Sequence, residues 1–371
     1  MRSFGPFLIL VVTLVGQCGG RCRAAESVSE DLRPAARTGD IRLPNFVFRQ
    51  GGSLPELRVR YATWGSPAKD PAGRIVNAVV LLHGTGGTGI GFGGPHTTST
   101  PPHPLLGKGA PLDANRYFIV APDAIGSGSS SKPSDGLRMQ FPAYDLSDMV
   151  RATYQLLGHL EVHHVLAVIG VSMGGREAWQ FAVQYPDFMD AIVPMIASPF
   201  PNAGRRALVD LLPQAVILGD PRFAEGNYSN NPPAVQWANQ VYGLLGNGAD
   251  GWQNIYPSRE AARHAILGTA PSPRVDACDF LYQLRLNDGF DAWSQIDRVK
   301  ARVLMINMAD DELVPIELGH NRSAAKRLRG AQYLELAATG YGHGGLMRTV
   351  DQWGSKLGRW LRILAARHRR Q

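Results

Sequence analysis

Short apolar runs alternate with amphipathic segments along most of the chain. Two stretches in which apolar residues recur every three or four positions, 144–157 and 176–185, predict helices. Continuous apolar runs of strand length lie at 77–83, 116–126, 164–170, 190–198 and 301–309. Strands that alternate with helices predict a mostly parallel sheet with helices on both faces. The predicted fold class is therefore α/β.

Two segments depart from this alternation. Residues 41–64 hold two β-rich runs around turn residues at 50–53, which predicts a hairpin. Residues at about 200–295 lack strand character and are rich in Trp and Tyr. They predict a mainly helical insertion that caps the carboxyl edge of the sheet. An aromatic cap also predicts a pocket with a mainly apolar lining, and hence an apolar acyl or leaving group.

The amino terminus has the order of an export signal. Arg2 precedes an apolar run at 7–15, and small residues follow near Ala24 and Ala25. That order is typical of a secretory signal peptide, and the run is too short to cross a bilayer. We expect a signal peptide over 1–24 and an exported protein, periplasmic or secreted. The cleaved chain is then expected to have no stable membrane span.

Charge and cysteine usage exclude several classes of function. The net charge of +7 falls to +4 when the three arginines of the signal are removed. The remaining basic residues form no stripe interleaved with aromatics, so we expect no nucleic-acid partner. Cys278 is the one cysteine beyond the signal, so no internal disulfide is expected. The histidines are scattered and no H-E-x-x-H occurs, so we expect neither a metal nor another cofactor.

A candidate nucleophile lies between the run at 164–170 and the helix at 176–185. Residues 170–174 read Gly-Val-Ser-Met-Gly, a G-x-S-x-G pentapeptide. A serine at the tip of so sharp a turn needs small flanking residues, and its hydroxyl then projects above the sheet. Ser172 is therefore the predicted nucleophile. The alternative is a tight glycine-rich turn with an incidental serine, which this strand–turn–helix context disfavours.

A serine nucleophile needs a base, and the base needs an acid that orients it. Asp310 and Asp311 directly follow the run at 301–309, and His343 lies on a glycine-rich loop after a further short strand. The order Ser, Asp, His along the chain is that of α/β-hydrolases. Either aspartate could be the acid, with the other capping the following turn.

The glycine-rich stretch at 81–89, "LLHGTGGTG", follows an apolar strand and contains G-x-G-x-x-G. A dinucleotide site would need a helix starting inside the pattern and an acid at a strand end about 20 residues on, and neither is present. Acyl transfer instead requires two backbone N–H groups aimed at the carbonyl oxygen. They come from the residue after the nucleophile and from the loop after the third strand. Met173 and Thr85 are the predicted donors, with Gly86 the alternative to Thr85.

With these motifs the chain resembles the homoserine O-acetyltransferase-like branch of the α/β-hydrolases. The resemblance is carried by "LPELRVRYATWGSP", "NAVVLLHGTGGTG", "GVSMGGREAWQFAVQYPDFMDAIVPM", "DDELVP" and "GYGHGG". It implies an α/β-hydrolase fold over 25–371, a helical cap, a nucleophile at Ser172, a base at His343 and a homodimer. The acid of this branch is the Asp of a D-x-L-[FV]-P motif, which residues 311–315 match. The resemblance therefore favours Asp311 over Asp310.

Two departures from the branch bear on the substrate. The resemblance places an Asp that helps to hold the substrate amine directly after the base, where this chain has Gly344. It also places in the cap an Arg that holds the substrate carboxylate, where this chain has Pro213. A buried site without these partners discriminates against a charged amino acid. An exported protein would also meet little acetyl-CoA.

The expected activity is therefore hydrolysis of a small-molecule acyl ester through an acyl-enzyme. One alternative is an O-acyltransferase that passes the acyl group to an alcohol or to an amino-acid hydroxyl such as that of homoserine. Both reactions share the acyl-enzyme, and exclusion of water would decide between them. The other alternative is a non-catalytic binding protein on a hydrolase scaffold. The intact Ser, Asp and His argue against it, and a fold alone would not.

Overall fold

The computed structural model describes residues 35–93, 105–268 and 275–368. The expected signal peptide at 1–24 lies outside these residues. The described strands are β1 (Arg37–Val47), β2 (Ser53–Trp64), β3 (Ala78–Leu82), β4 (Phe118–Pro122), β5 (Ala167–Val171), β6 (Ala191–Met195), β7 (Arg302–Met308) and β8 (Gln332–Leu336). The described α-helices are α1 (Leu146–His159), α2 (Met173–Gln184), α3 (Gly204–Leu218), α4 (Ala234–Gly243), α5 (Ala249–Ile255), α6 (Arg259–Leu267), α7 (Ala277–Arg285), α8 (His320–Arg327) and α9 (Val350–His368).

The strands form one sheet in the order β1-β2-β4-β3-β5-β6-β7-β8. Strands β3 to β8 pair in parallel, whereas β2 is antiparallel to both β1 and β4. The predicted hairpin at 41–64 is the β1–β2 pair, and it forms one edge of the sheet. The central strands are continuous apolar runs because both of their faces are covered. The prediction of a mostly parallel α/β sheet is confirmed.

Alternate residues of the central strands point to opposite faces, and each face has its own core. Val80 and Val168 pack with α1 and α2, in a cluster that contains the fully buried Trp179. Val79 and Ile169 pack on the other face with α9, around the fully buried Trp353. Helices therefore cover both faces and leave the carboxyl edge of the sheet for the segments that follow the strands.

Two predicted elements have other bounds than the observed ones because polar side chains set where they begin or end. The helix predicted over 144–157 begins at Leu146, since the Asp145 side chain accepts hydrogen bonds from two backbone N–H groups of the first turn. The run at 116–126 is a strand over 118–122 alone. Directly after it, Asp123 accepts backbone N–H groups from Gly89 and Ser129 at 2.7 and 2.9 Å and so turns the chain into a loop.

Helices α3 to α7 lie between β6 and β7, in the region where the sequence predicts a helical cap. Helices α3, α4 and α7 share a small hydrophobic core, formed by residues that include Phe223, Tyr228, Val235, Tyr242 and Phe280. This cap core is separate from the two cores on the faces of the sheet. In the described part of the chain, no helix combines the length and the apolar character that a membrane crossing requires.

Candidate active site

Ser172 lies at a sharp turn between β5 and α2. Its backbone angles are φ 55° and ψ −111°, in the left-handed half of conformational space that side chains rarely adopt. A Cβ at Gly170 would lie 1.9 Å from the carbonyl oxygen of Gly174, and a Cβ at Gly174 would lie 2.3 Å from the carbonyl oxygen of Leu82. Glycine is therefore required at both flanks, because the strand, the turn and the helix pass in backbone contact.

The structure brings the three predicted side chains into one hydrogen-bonded chain. His343 Nε2 lies 2.8 Å from Ser172 Oγ, and His343 Nδ1 lies 2.8 Å from Asp311 Oδ2. The His343 and Asp311 side chains are almost completely buried. His343 was expected on an open loop, but it lies in the first turn of a 3-10 helix, Gly342–Thr349. In this arrangement a proton on Ser172 has a direct path to a ring nitrogen, and the other ring nitrogen is held by a carboxylate.

The two neighbouring aspartates have different contacts. The Oδ1 atom of Asp311 accepts the backbone N–H groups of Leu313 and Val314, both at 2.9 Å, which leaves Oδ2 to His343. Asp310 points to the backbone that carries His343. Its Oδ2 accepts N–H groups from Thr339, Gly340 and Gly342 at 3.0, 2.7 and 3.1 Å. Asp311 thus orients the imidazole ring, and Asp310 holds the loop that leads into it.

The glycine-rich loop after β3 lies directly beside Ser172. Thr85 and Met173 line the same cavity as Ser172 and His343, and Met173 is the first residue of α2. The first N–H groups of a helix have no acceptor within the helix and can point at a ligand. Gly86, the alternative donor, has φ +73° and shapes the turn after Thr85.

His83, which opens this loop, fixes its direction. Its Nε2 accepts the N–H of Ala124 at 3.0 Å, and its Nδ1 lies 2.8 Å from the carbonyl oxygen of Gly84. A neutral ring with its proton on Nδ1 satisfies both contacts. Burial lowers the pKa of His83, which favours this neutral form. The contacts of His83 are therefore structural, since they hold the start of the loop.

The cavity next to Ser172 is narrow and has a volume of only about 10 Å³, about the room that one water molecule needs. It is lined by Thr85, Ser172, Met173, Arg176, Ile196, Arg206, Gln283, Leu286, Asn287, Leu313, Val314 and His343. A larger cleft of about 730 Å³ adjoins it, and the two share Arg176, Arg206, Leu313 and Val314 in their walls. The expected mainly apolar lining is found in the larger cleft, whereas two arginines and two amide side chains line the small cavity beside Ser172.

The two arginines were missed by the sequence analysis. Arg176 follows Ser172 by four residues, one helical turn, so it lies on the same face of α2 as the nucleophile turn. Burial and the charge of Arg206 lower the pKa of Arg176 to about 9. The spacing from Ser172 was a usable signal for Arg176. No local pattern indicated Arg206, because it enters from the cap helix α3.

The two positions at which the chain departs from the resembled branch both lie in or against the cap. Pro213 is buried inside helix α3. The N–H of Gly344 donates to the carbonyl oxygen of Gly246 at 2.9 Å, which ties the segment after His343 to the cap. Among the described residues, no group of three or more His, Cys, Asp or Glu side chains could hold a metal ion.

Comparisons with known proteins agree with this architecture. The family described as alpha/beta hydrolase fold matches residues 77–347. A probable acyltransferase of Methanothermobacter thermautotrophicus is 28% identical over 280 residues, which cover 75% of this chain and 84% of the relative. The homoserine O-acetyltransferase of Haemophilus influenzae is 27% identical over 341 residues, 83% of this chain and 93% of the relative.

Solved structures show the same fold. The crystal structure of esterase E22 superposes with a TM-score of 0.75 at 18% identity, covering 88% of this chain and 100% of that chain. The relatives found by sequence and by structure are thus acyltransferases and esterases, which are enzymes. The family match spans most of the chain, from the strand before the glycine-rich loop to the helix that carries His343. The chain therefore belongs to the α/β-hydrolase fold family, as a homoserine O-acetyltransferase-like member.

Proposed function

We propose that this chain is an exported serine hydrolase that cleaves a small-molecule acyl ester through an acyl-enzyme on Ser172. The observation that carries the proposal is the buried hydrogen-bonded chain from Ser172 through His343 to Asp311, with both links at 2.8 Å. The strained backbone of Ser172 supports it, since strain of this kind concentrates at functional sites.

In the acylation step Ser172 Oγ attacks the ester carbonyl while His343 Nε2 takes the hydroxyl proton. The carbonyl oxygen gains negative charge and is stabilised by the backbone N–H groups of Thr85 and Met173. Asp311 holds the ring by Nδ1 and stabilises the imidazolium that forms. His343 then gives its proton to the leaving alcohol, and the acyl group remains on Ser172.

In the deacylation step His343 activates a water molecule, which attacks the acyl-enzyme from the side that the alcohol has left. The narrow cavity beside Ser172 has room for about one water molecule, so a small nucleophile fits there without rearrangement. A larger acyl group requires the cavity to widen into the adjoining cleft. Because the cap supplies Arg206 to the shared wall, movement of the cap is the simplest way to widen it.

Transfer of the acyl group to an alcohol is the second candidate function. Similarity to homoserine O-acetyltransferases over most of the chain favours it. Gly344 and Pro213 favour hydrolysis, because the charged partners that the resemblance expects at these positions are missing. The two functions differ in the acceptor alone, so they are separated by following the acyl group.

The test uses the purified mature protein and two measurements. A fluorophosphonate probe should label the wild-type protein and fail to label Ser172→Ala, while Ser134→Ala, which changes a serine outside the site, should label normally. A short p-nitrophenyl ester is then supplied with and without homoserine, serine and simple alcohols. Free acid as the main product under every condition supports a hydrolase. Efficient capture by homoserine would make the chain an acyltransferase, and equal labelling of Ser172→Ala would refute the proposed site.

Export and self-association complete the proposal. The order of residues at 1–24 supports export, and mass determination of the amino terminus of protein recovered outside the cytoplasm tests it. Exposed leucines on α3, Leu208, Leu211 and Leu212, support the expected homodimer because an apolar surface of this kind favours association. Light scattering after gel filtration measures the mass in solution, and a monomer would contradict this part of the proposal.

A further inference from the structure

Two arginines are buried at the boundary between the small cavity and the adjoining cleft. Arg176 is 6% exposed, and the side chain of Arg206 is 15% exposed. Arginine is almost never so deeply buried unless its charge is paired. Because both residues line the cavity that contains Ser172, their burial bears on what the site binds.

Hydrogen bonds and ion pairs within the protein compensate these two buried charges only in part. The guanidinium of Arg176 donates to two neutral amide oxygens, that of Asn287 at 2.9 Å and that of Asn202. Within the described ranges, no carboxylate lies within ion-pair distance of Arg176. Arg206 Nη2 lies 3.2 Å from Asp210, while Arg206 Nη1 is buried and has no hydrogen-bond partner among the described residues. Among the described carboxylates, Asp210 acts on both cations, and Asp311 also acts on Arg206.

Of the other acids that line the cleft, Asp310 and Asp311 are already engaged, whereas Glu312 and Glu317 are exposed. Asp311 is bonded to His343 and to two backbone amides, and Asp310 to the backbone that leads to His343. Glu312 lies 3.6 Å from Arg205 at the exposed rim, where ion pairs contribute little. Burial and the nearby charge of Arg176 lower the pKa of His320 on the opposite wall. The wall shared by the cavity and the cleft is therefore short of negative charge.

We propose that Arg176 and Arg206 bind a carboxylate of the substrate, so that the ester attacked by Ser172 is anionic. This inference rests on the proposed function and adds a substrate class to it. A planar guanidinium matches a carboxylate with two parallel hydrogen bonds, and burial strengthens such pairs. Arg176 is one helical turn from Ser172, so the carboxylate lies a few atoms from the ester carbonyl. It can belong to the acyl part or to the leaving alcohol.

The first test compares ester pairs that differ in one charge, on wild-type protein. Monomethyl succinate and methyl succinamate carry the acid or its neutral amide in the acyl part. Acetoxyacetate and acetoxyacetamide carry them in the alcohol part. Products are followed by NMR, and protection of Ser172 from the fluorophosphonate probe gives the same comparison where turnover is slow. We expect the acid to be preferred by about tenfold or more in one pair, as for hydrogen bonds to a charged group. A ratio of one or less in both pairs overturns the inference.

The second test removes the cations. In Arg176→Gln and Arg206→Gln we expect the acid-to-amide ratio to fall at least about fivefold, because the amide does not use the charge. Arg302→Gln is the matched control, since Arg302 is exposed at the opposite end of the sheet. The ratio is measured on one preparation and so does not depend on the fraction of folded protein. An unchanged ratio in both variants refutes the inference.

Different results would overturn the carboxylate site and the proposed hydrolase activity. If Ser172 is labelled and neutral esters are cleaved as well as anionic ones, the carboxylate site is wrong and the hydrolase remains. If Ser172 is not labelled and no ester is cleaved, the proposed function fails and the inference fails with it.

Discussion

Asp311 contacts the imidazole of His343, and Asp310 holds the loop that leads into His343. Replacing each aspartate in turn by asparagine tests these two roles separately. In Asp311→Asn, the amide oxygen must stay on the N–H groups of Leu313 and Val314, because an amide nitrogen cannot accept them. The amide nitrogen then faces Nδ1 of His343 at the position of the present 2.8 Å contact. It donates to Nδ1, and the ring proton moves to Nε2, which faces Ser172. The ring can no longer take the serine proton.

The expected loss follows from this change of tautomer. A fall in acylation rate of about 10⁴-fold is typical when the acid of such a triad becomes an amide. That factor is about 5 kcal/mol of transition-state stabilisation. The fold should change little, since both backbone contacts and the side-chain volume are kept.

Asp310→Asn should affect stability more than the acylation rate. The amide oxygen can keep the three N–H groups of the loop, but the amide NH₂ takes the place of Oδ1, which is buried and has no hydrogen-bond partner among the described residues. A buried unsatisfied donor costs about 1–3 kcal/mol of stability. We expect a lower melting temperature and an acylation rate within about tenfold of wild type.

The assay is the pre-steady-state burst of p-nitrophenol from p-nitrophenyl acetate, with thermal melts on the same samples. Wild type supplies the reference for both measurements. The assignment of Asp311 as the acid would be refuted if Asp310→Asn slowed acylation as much as Asp311→Asn. It would also be refuted if Asp311→Asn remained within tenfold of wild type.

Three further predictions follow from single contacts. Burial raises the pKa of Glu177 from 4.5 to about 8, so its contribution to stability is full below pH 4.5 and is lost as the pH rises towards 8; urea unfolding of Glu177→Gln between pH 5 and 9 should show a flatter dependence. Gly174→Ala should abolish folding, as judged by circular dichroism, because its Cβ would lie 2.3 Å from a carbonyl oxygen. Gly158→Ala is the control: this glycine lies in α1 with open space around it, so the substitution should be neutral or stabilising. Tyr242→Phe removes the 3.2 Å hydrogen bond to the hydroxyl of Thr85 and should lower kcat/KM about two- to tenfold, and an unchanged value would mean that this contact does not position the loop.

The parts of this molecule that local sequence determines could be predicted. The buried strands are apolar because both faces of the sheet are covered, so they stand out as continuous runs. The turn at Ser172 was visible because its geometry demands glycines at fixed spacing. The fold class and the relationship to the homoserine O-acetyltransferase-like branch followed from these features, and both were confirmed.

The parts that depend on distant residues could not be predicted from local patterns. Asp310 and Asp311 are adjacent and chemically identical. Asp311 has local partners in Leu313 and Val314, but its contact with His343 and the loop contacts of Asp310 involve residues 29 to 32 positions later. Arg176 lies on α2, which packs on the sheet, and Arg206 lies on α3 of the cap. No short window of sequence therefore contains both. A single arginine in such a window is typical of solvated surface, so neither residue was marked as part of a cavity.

The separate core of the cap has a consequence for how the protein can change over evolutionary time. Ser172, His343, Asp311 and the glycine-rich loop all project from segments that follow strands of the sheet, whereas Arg206 comes from a cap with its own hydrophobic cluster. Under the proposed function, substitutions in α3 can alter which ester is accepted without replacing a residue of the proposed triad, whereas α4 reaches the glycine-rich loop through Tyr242. Selection for a new substrate therefore has a separate region in which to act, and a mutant library confined to the exposed positions of α3 should retain a high fraction of folded members.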